Sequence, residues 1–289
     1  MLPSIVAGTE ELALRPDRPL HIGFLGIDGI GKTSMARLLQ AELESAGIAV
    51  QQVSWRDHVD ADARPNVRAA FRELWVESWR LMFLGDGEDP VVPPSYDEFQ
   101  GEGWEDRLIS LNVPANMAAG PLAAAWLELA AQVLLYHEVI APLRNSGVWV
   151  IEESYPLKFV MKELLAARAL SREPRAQQEV ATALELLPAL FRPRAPDLGI
   201  LVSGPVELAY QRRIAEAGET NSSEDLGQAG RKGRDGFVDL QSECDRRFRE
   251  VAADESWLVY EMVDGPPEEN FARLRELIRP ALSRSAPAP

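Results

Sequence analysis

Eight consecutive residues near the start of the chain, Gly26-Ile27-Asp28-Gly29-Ile30-Gly31-Lys32-Thr33, match the pattern G-x-x-x-x-G-K-[ST] in full. That spacing suits one task, the wrapping of backbone around phosphate. Glycines let successive N–H groups curl round a phosphate without Cβ clashes, and a following helix adds the positive potential of its N-terminus. Lys32 then reaches the β- and γ-phosphates of ATP, and the Thr33 hydroxyl ligates Mg²⁺. With Ile27, Asp28, Ile30 and Ser34 completing the loop, residues 26–34 read as an ATP-binding segment. The competing reading is a glycine-rich turn with a solvated lysine, which does not explain a full match placed between a strand and a helix.

Phosphoryl transfer needs further groups. The run VWVI at 148–151 reads as a buried strand and ends in Glu152-Glu153. In a parallel sheet, a carboxylate at the C-terminal end of a neighbouring strand points into the crevice that holds the phosphates. Glu153, or Glu152, is therefore a candidate to orient Mg²⁺ through water or to accept a proton from a substrate hydroxyl; the alternative is a pair of exposed acids. Charge on the moving phosphoryl group must also be neutralised and water kept out. Arg231, Lys232 and Arg234 lie in the glycine-flanked segment GQAGRKGRDG, which reads equally as a lid and as a solvated charge run. Arg212 and Arg213, on the helix before it, are candidates for the same place.

These groups require a scaffold that gathers strand ends. LHIGFLGI (20–27), GIAVQQVSW (47–55), VWVI (148–151), DLGILVS (197–203) and SWLVYEMV (256–263) read as five strands. Short apolar runs bounded by turn residues mark strands buried on both faces. Helical spacing appears over 32–45, 66–84, 121–143, 157–170, 174–191, 205–217, 235–252 and 267–282. The apolar stripe over 66–84 is Phe71, Trp75, Trp79 and Met82, read as core more than as a substrate platform. Over 121–143 it is Leu122, Trp126, Leu129, Val133 and Ile140. Strands alternating with helices mean an α/β fold, a five-stranded parallel sheet with helices on both faces. The plan is a tail over 1–19, one domain over 20–283 with an insertion at about 85–120 and a lid at about 219–235, and a tail over 284–289.

The 289 residues include 30 Lys plus Arg against 45 Asp plus Glu, a formal net charge of −15. A hydrophobic share of 46% permits a sizeable core. The acidic balance argues against a protein that grips a nucleic-acid polymer, which needs a clustered cationic surface. Eight of the acids fall in residues 85–106, a stretch without Lys or Arg. Their separation from the loop at 26–34 leaves room for a local phosphate site. The single cysteine, Cys244, cannot form an internal disulfide and fits a reducing compartment. Neither a secretory signal nor a stretch of about 18 uninterrupted apolar residues is visible, so a cytoplasmic location without a membrane span is expected. His21, His58 and His137 are scattered without metal-ligand spacing.

The loop GIDGIGKT after the strand FLGI resembles that of thymidylate kinase and its relatives among the P-loop nucleotide and nucleoside kinases. LELAAQVLLYHEVIAPLRNSGVWVIEESY (127–155) is similar to the helix–strand unit before that family's Asp-Arg-Tyr motif. APDLGILVSGPVELAYQRRIAEAG (195–218) is similar to the strand and helix that lead into its lid. The resemblance covers most of 20–280 apart from the acidic insertion. It implies the P-loop NTPase fold and an ATP- and Mg²⁺-dependent kinase that passes the γ-phosphoryl group to a nucleotide or nucleoside acceptor. It gives Gly26, Gly29, Gly31, Lys32 and Thr33 as the ATP phosphate and Mg²⁺ site, with Asp28 between donor and acceptor. Glu153 falls at the motif aspartate and Tyr155 at its tyrosine, while Arg56 in VSWRD stands for an arginine that meets the acceptor phosphate. Arg231 or Arg234 would close the lid, with Arg212 beside ATP.

Two departures from the family pattern stand out. Ser154 falls where the motif arginine is expected, and Gln132 where an arginine reads the pyrimidine base. Losing both cations weakens the case for thymidine monophosphate as acceptor. It leaves open a kinase of a non-nucleotide metabolite, and a nucleotide-binding regulatory protein without turnover. The expected partners are ATP and a small-molecule acceptor, and the helix over 121–143 is a candidate homodimer face.

Overall fold

Strands β1 His21–Leu25, β2 Val50–Gln52, β3 Trp149–Glu152, β4 Leu198–Ser203 and β5 Leu258–Glu261 form a single sheet in the order β2-β3-β1-β4-β5. Every neighbouring pair is parallel, and Gly23 of β1 lies opposite Glu152 of β3. The three central strands are buried along their whole length, which is why their sequences are continuous apolar runs and not alternating ones. The expected α/β fold with a five-stranded parallel sheet and helices around it is the architecture found. The computed structural model describes residues 18–56, 64–83, 95–101, 118–227 and 230–283. His58, both expected tails beyond those limits and most acids of the insertion lie outside the described residues.

The described helices are α1 Lys32–Ser45, α2 Pro65–Met82, α3 Tyr96–Gly101, α4 Ala119–Asn145, α5 Leu157–Leu170, α6 Pro174–Phe191, α7 Val206–Ala217, α8 Arg234–Asp254 and α9 Pro267–Ser283. Pro65 and Pro174 open their helices, where a missing N–H leaves no bond unmade. The sheet, with α1, α5, α6, α8 and α9, encloses one core, centred on Phe24, Leu39, Leu164, Phe237 and Phe248. A second core, with Phe71, Met82, Phe99, Ala131 and Leu135, lies among α2, α3 and α4.

Helix α4 corrects the sequence reading in two respects. Its buried face is Ala124, Ala125, Glu128, Ala131, Gln132 and Leu135, while Trp126 and Val133 of the expected apolar stripe are exposed. Small side chains let α2 and α5 approach closely, so the larger apolar residues are left on the outer face. The helix is also not regular to its end, since Tyr136–Ile140 forms a π-turn. Pro142 cannot donate to the carbonyl of Glu138 one turn back. That carbonyl accepts from Arg64 Nη2 at 2.7 Å instead. By length and composition alone α4 could cross a membrane. Here it packs between α2 and α5 and carries two buried polar residues, as a core helix does.

The acidic insertion is not purely surface. Its described part, α3, buries Tyr96 and Phe99, and Phe99 meets Trp79 with ring centroids 6.2 Å apart.

Candidate functional site

The loop between β1 and α1 turns sharply under backbone from two other elements. A Cβ at Gly26 would sit 2.2 Å from the Val202 carbonyl oxygen, and one at Gly29 2.3 Å from that of Ala209. Both have positive φ, 155° and 74°, so only glycine fits either place. Lys32, the first residue of α1, is buried, and its Nζ donates to the Ile27 carbonyl at 2.5 Å. Arg212 from α7 bridges the loop to the end of β5, donating to the Ile30 and Val263 carbonyls at 3.0 Å each. Gly29, Gly31, Lys32, Thr33, Ser34 and Arg212 all line one cavity of about 840 Å³, within the roughly 300–1,000 Å³ of small-molecule sites.

Asp28 is the electrostatic centre of that cavity. Its carboxylate is held by Lys158 Nζ and by Lys162 Nζ at 2.8 Å, both from α5, and accepts from Gln241 Nε2 of α8 at 3.0 Å. The Asp28 N–H donates to Gln241 Oε1 at 3.0 Å, so one carboxamide grips both its backbone and its side chain. Burial alone would raise the Asp28 pKa, but Lys158, Lys162 and Lys32 outweigh it and hold the carboxyl well below its usual range. Burial and the charge of Lys158 push the Lys32 ammonium pKa well down, while Asp28 and Glu153 oppose that shift. Burial also works against the charge on Lys162, yet contact with Asp28 raises its pKa overall. Three lysines around one carboxylate make a cationic floor inside a protein of net charge −15.

The two strand-end acids have separate surroundings. Glu152 Oε2 is 2.7 Å from His21 Nε2 in a buried pair. Glu153 lines the cavity and is close enough to Lys32 to favour its charged form. Glu153 and Thr33, both lining the cavity, offer hard oxygen ligands that fit Mg²⁺, which takes one or two protein oxygens and leaves the rest to phosphates and water. Among the described residues no cluster of three or more His, Cys, Asp or Glu is arranged for a metal.

The other expected acceptor residues divide. Arg56, Gln132 and Ser154 line the cavity. Ser154 Oγ accepts from Lys158 Nζ, four residues further along the chain, at 3.4 Å. Tyr155 is turned into the core, edge-on to Phe191 and Trp257, and is not in the cavity wall. Trp75 and Trp79, read as core, are half-buried and line the cavity with Trp55, whose ring meets Trp75 at 5.0 Å. The wall between α4 and α5 is acidic and carboxamide-bearing, with Glu128, Gln132 and Glu163.

The expected lid is tied down. Asp225, buried at its centre, accepts from Thr220 Oγ1 at 2.9 Å and from the backbone N–H groups of Gly227 and Gly233 at 2.8 Å. Glu224 Oε2 pairs with Arg213 Nε at 2.7 Å, and its carbonyl accepts from the Gln241 that holds Asp28. Arg231 pairs with Asp239 and Arg234 with Glu207 in exposed contacts, and neither lines the cavity. Arg212 and Arg213 do.

Sequence reasoning missed Lys158, Lys162, Gln241, Glu128 and Glu163. The lysines had a signal: spaced by four in LKFVMKELLAA, where Glu163 is the only other charged residue, they share one face of a helix that is buried nearly all round. Gln241 had none, since one carboxamide on an amphipathic helix is unremarked until its partner is known.

The phosphate-wrapping loop after β1, the parallel order β2-β3-β1-β4-β5 and the acid at the end of β3 define the P-loop NTPase fold. The chain is similar to the solved structure of thymidylate kinase from Candida albicans, with a TM-score of 0.55 at 16% identity, over 93% of this chain and 94% of that one. The likeness is one of fold, a kinase-like P-loop fold. No family model matches the chain, and no curated protein matches it.

Proposed function

We propose that the protein is an ATP- and Mg²⁺-dependent kinase that transfers the γ-phosphoryl group to a nucleotide, a nucleoside or an acceptor of similar size. The observation that carries this reading is a single cavity with the P-loop on its rim and the Asp28–Lys158–Lys162 cluster on its floor. The amides of residues 26–34 and Lys32 would hold the phosphates, with Arg212 fixing the loop from outside. Mg²⁺, bound through Thr33 and Glu153, would neutralise charge on the phosphates. Asp28, kept ionised by its lysines, is a weak base, so its part is to orient an acceptor hydroxyl by accepting its hydrogen bond. Lys158 and Lys162 would offset charge developing beside it. Positioning and electrostatics are most of what phosphoryl transfer demands.

The absence of arginine at Ser154 and Gln132 favours a second reading of the acceptor, a non-nucleotide metabolite. Coupled ADP release, screened across nucleosides, nucleoside monophosphates and amino- or hydroxy-metabolites, is expected to show acceptor-stimulated turnover. Lys32→Ala is expected to lower kcat about 10²–10³-fold, the scale of one lost electrostatic contact to the transferring group, with the circular dichroism spectrum unchanged. ATP binding with no acceptor-stimulated ADP would leave a nucleotide-binding protein without kinase activity, and turnover indifferent to Lys32→Ala would overturn the role given to that lysine.

A further inference from the structure

The wall formed by α4 and α5 carries polar atoms that the phosphate end of the cavity does not explain. Glu128, Gln132 and Glu163 line the cavity although each is more than nine-tenths buried. Gln132 Nε2 donates to Glu128 Oε1 at 3.2 Å, but Gln132 Oε1 and Glu163 Oε2 have no hydrogen-bond partner among the described residues. Lys162, next to Glu163 in the chain, is turned to Asp28, so it leaves that oxygen unmet. Both unmet atoms of this wall are acceptors, whereas the unmet donors that line the cavity, Trp55 Nε1 and Trp75 Nε1, come from the segment after β2 and from α2, so the α4–α5 wall itself lacks a donor. Buried carboxyls are otherwise paired, protonated or matched by a cation.

We propose that the acceptor carries a basic amine, and that its ammonium group is received between Glu128 and Glu163 with Gln132 Oε1 as the third acceptor. An ammonium has three donors and no acceptor, and three residues here each present an acceptor. Trp75 and Trp79 line the α2 side of the same cavity, and indole rings attract a cation. Burial pushes the Glu128 carboxyl up to about 8, against the hydrogen bond from Gln132. It raises Glu163 as well, with the charge of Glu128 adding to the shift and Lys162 opposing it. A cation between the two carboxyls would restore their charged forms. The proposal rests on the kinase reading only in calling this molecule the acceptor.

Calorimetric titration of the full chain, with a non-hydrolysable ATP analogue present, tests it with matched probes: ethanolamine against ethylene glycol, and D-glucosamine against D-glucose. Each amine is expected to bind about tenfold or more tightly than its neutral partner, the scale of a hydrogen bond to a charged group. The isosteric double variant Glu128→Gln/Glu163→Gln is expected to lose that preference, with the ATP-analogue titration reporting whether it is folded. The wild-type pairs decide the matter even if the variant does not fold. Equal or tighter binding of the neutral partners, no detectable amine binding, or a preference that survives in the folded double variant would overturn the proposal. Tighter binding of thymidine or cytidine than of either amine would overturn it in favour of a nucleobase. None of these results needs turnover, so they stand apart from acceptor-stimulated ADP formation, which tests the kinase reading.

Discussion

On the loop side of the cavity, Asp28, Gly29 and the run from Gly31 to Ser34 come from one short stretch of chain, and in the proposed kinase most of their work falls to backbone amides. The helical side draws Trp55 from the segment after β2, Trp75 from α2, Gln132 from α4, and Lys158 and Glu163 from α5. The first arrangement is specified by local conformation, because the close carbonyls of Val202 and Ala209 admit only glycine. The second is specified by tertiary packing, because none of its side chains is placed until α4 and α5 lie together. A phosphate-binding loop can therefore stay the same while the neighbouring wall changes what it receives. Asp28 joins the two sides, being part of the loop and yet held by lysines of the helical side.

The sharpest way to break this division is at Asp28. Asp28→Asn leaves the Lys158 and Lys162 ammonium groups buried without their counter-charge, and is expected to destabilise the fold by about 3–5 kcal/mol in urea denaturation. A change below about 1 kcal/mol would mean that the pair is as weakly coupled as a surface ion pair.

The effect expected on the helical wall is smaller at each step because it is spread over pH. Burial holds the Glu128 carboxyl at about 8 in the folded protein against an ordinary value of 4.5. The folded state thus keeps a proton that the unfolded chain releases between these values. Stability is full below about 4.5 and falls as pH rises to about 8, by at most about 1.4 kcal/mol per pH unit. Glu128→Gln is expected to flatten that slope in denaturant titrations from pH 5 to 8. An unchanged slope would place the proton elsewhere.

The smallest expected effects concern the arginines. Arg212→Ala removes the bridge from Ile30 to Val263 and is expected to raise the KM for ATP. Arg234→Ala, whose side chain pairs with Glu207 at the surface, is expected to change it less. A larger loss from Arg234→Ala would show that the 219–235 segment closes over the nucleotide during turnover.

Much of this was legible before the fold. The G-x-x-x-x-G-K-T match, the five apolar strands and the acid after VWVI led to the sheet, to the loop and to Glu153 in the cavity. Local backbone and strand burial leave marks within a few residues, so sequence spacing carries them. The α4 stripe holds for Ile140, Leu122 and Leu129, which meet the core, but not for Trp126 and Val133, because apolar periodicity does not say which face is buried when Ala and Gln pack inward. Tyr155 was placed by resemblance at the acceptor, whereas Phe191 and Trp257 draw it into the core. Arg231 and Arg234 were placed by their glycine-flanked loop, which cannot show that Asp225 knots it and that Asp239 and Glu207 take their charges. Lys158 and Lys162 were passed over because a buried lysine is recognised only with its carboxylate.

In the proposed kinase, one cavity passes the phosphoryl group from its loop side to a molecule on its helical side, with water kept out. Phosphorus-31 spectra of ATP, Mg²⁺, protein and an acceptor identified by ADP release test this most directly. A phosphate-ester signal growing one for one with ADP, without inorganic phosphate and lost in Lys32→Ala, is the expected result. Inorganic phosphate appearing in step with ADP, whether or not the acceptor is present, would contradict it.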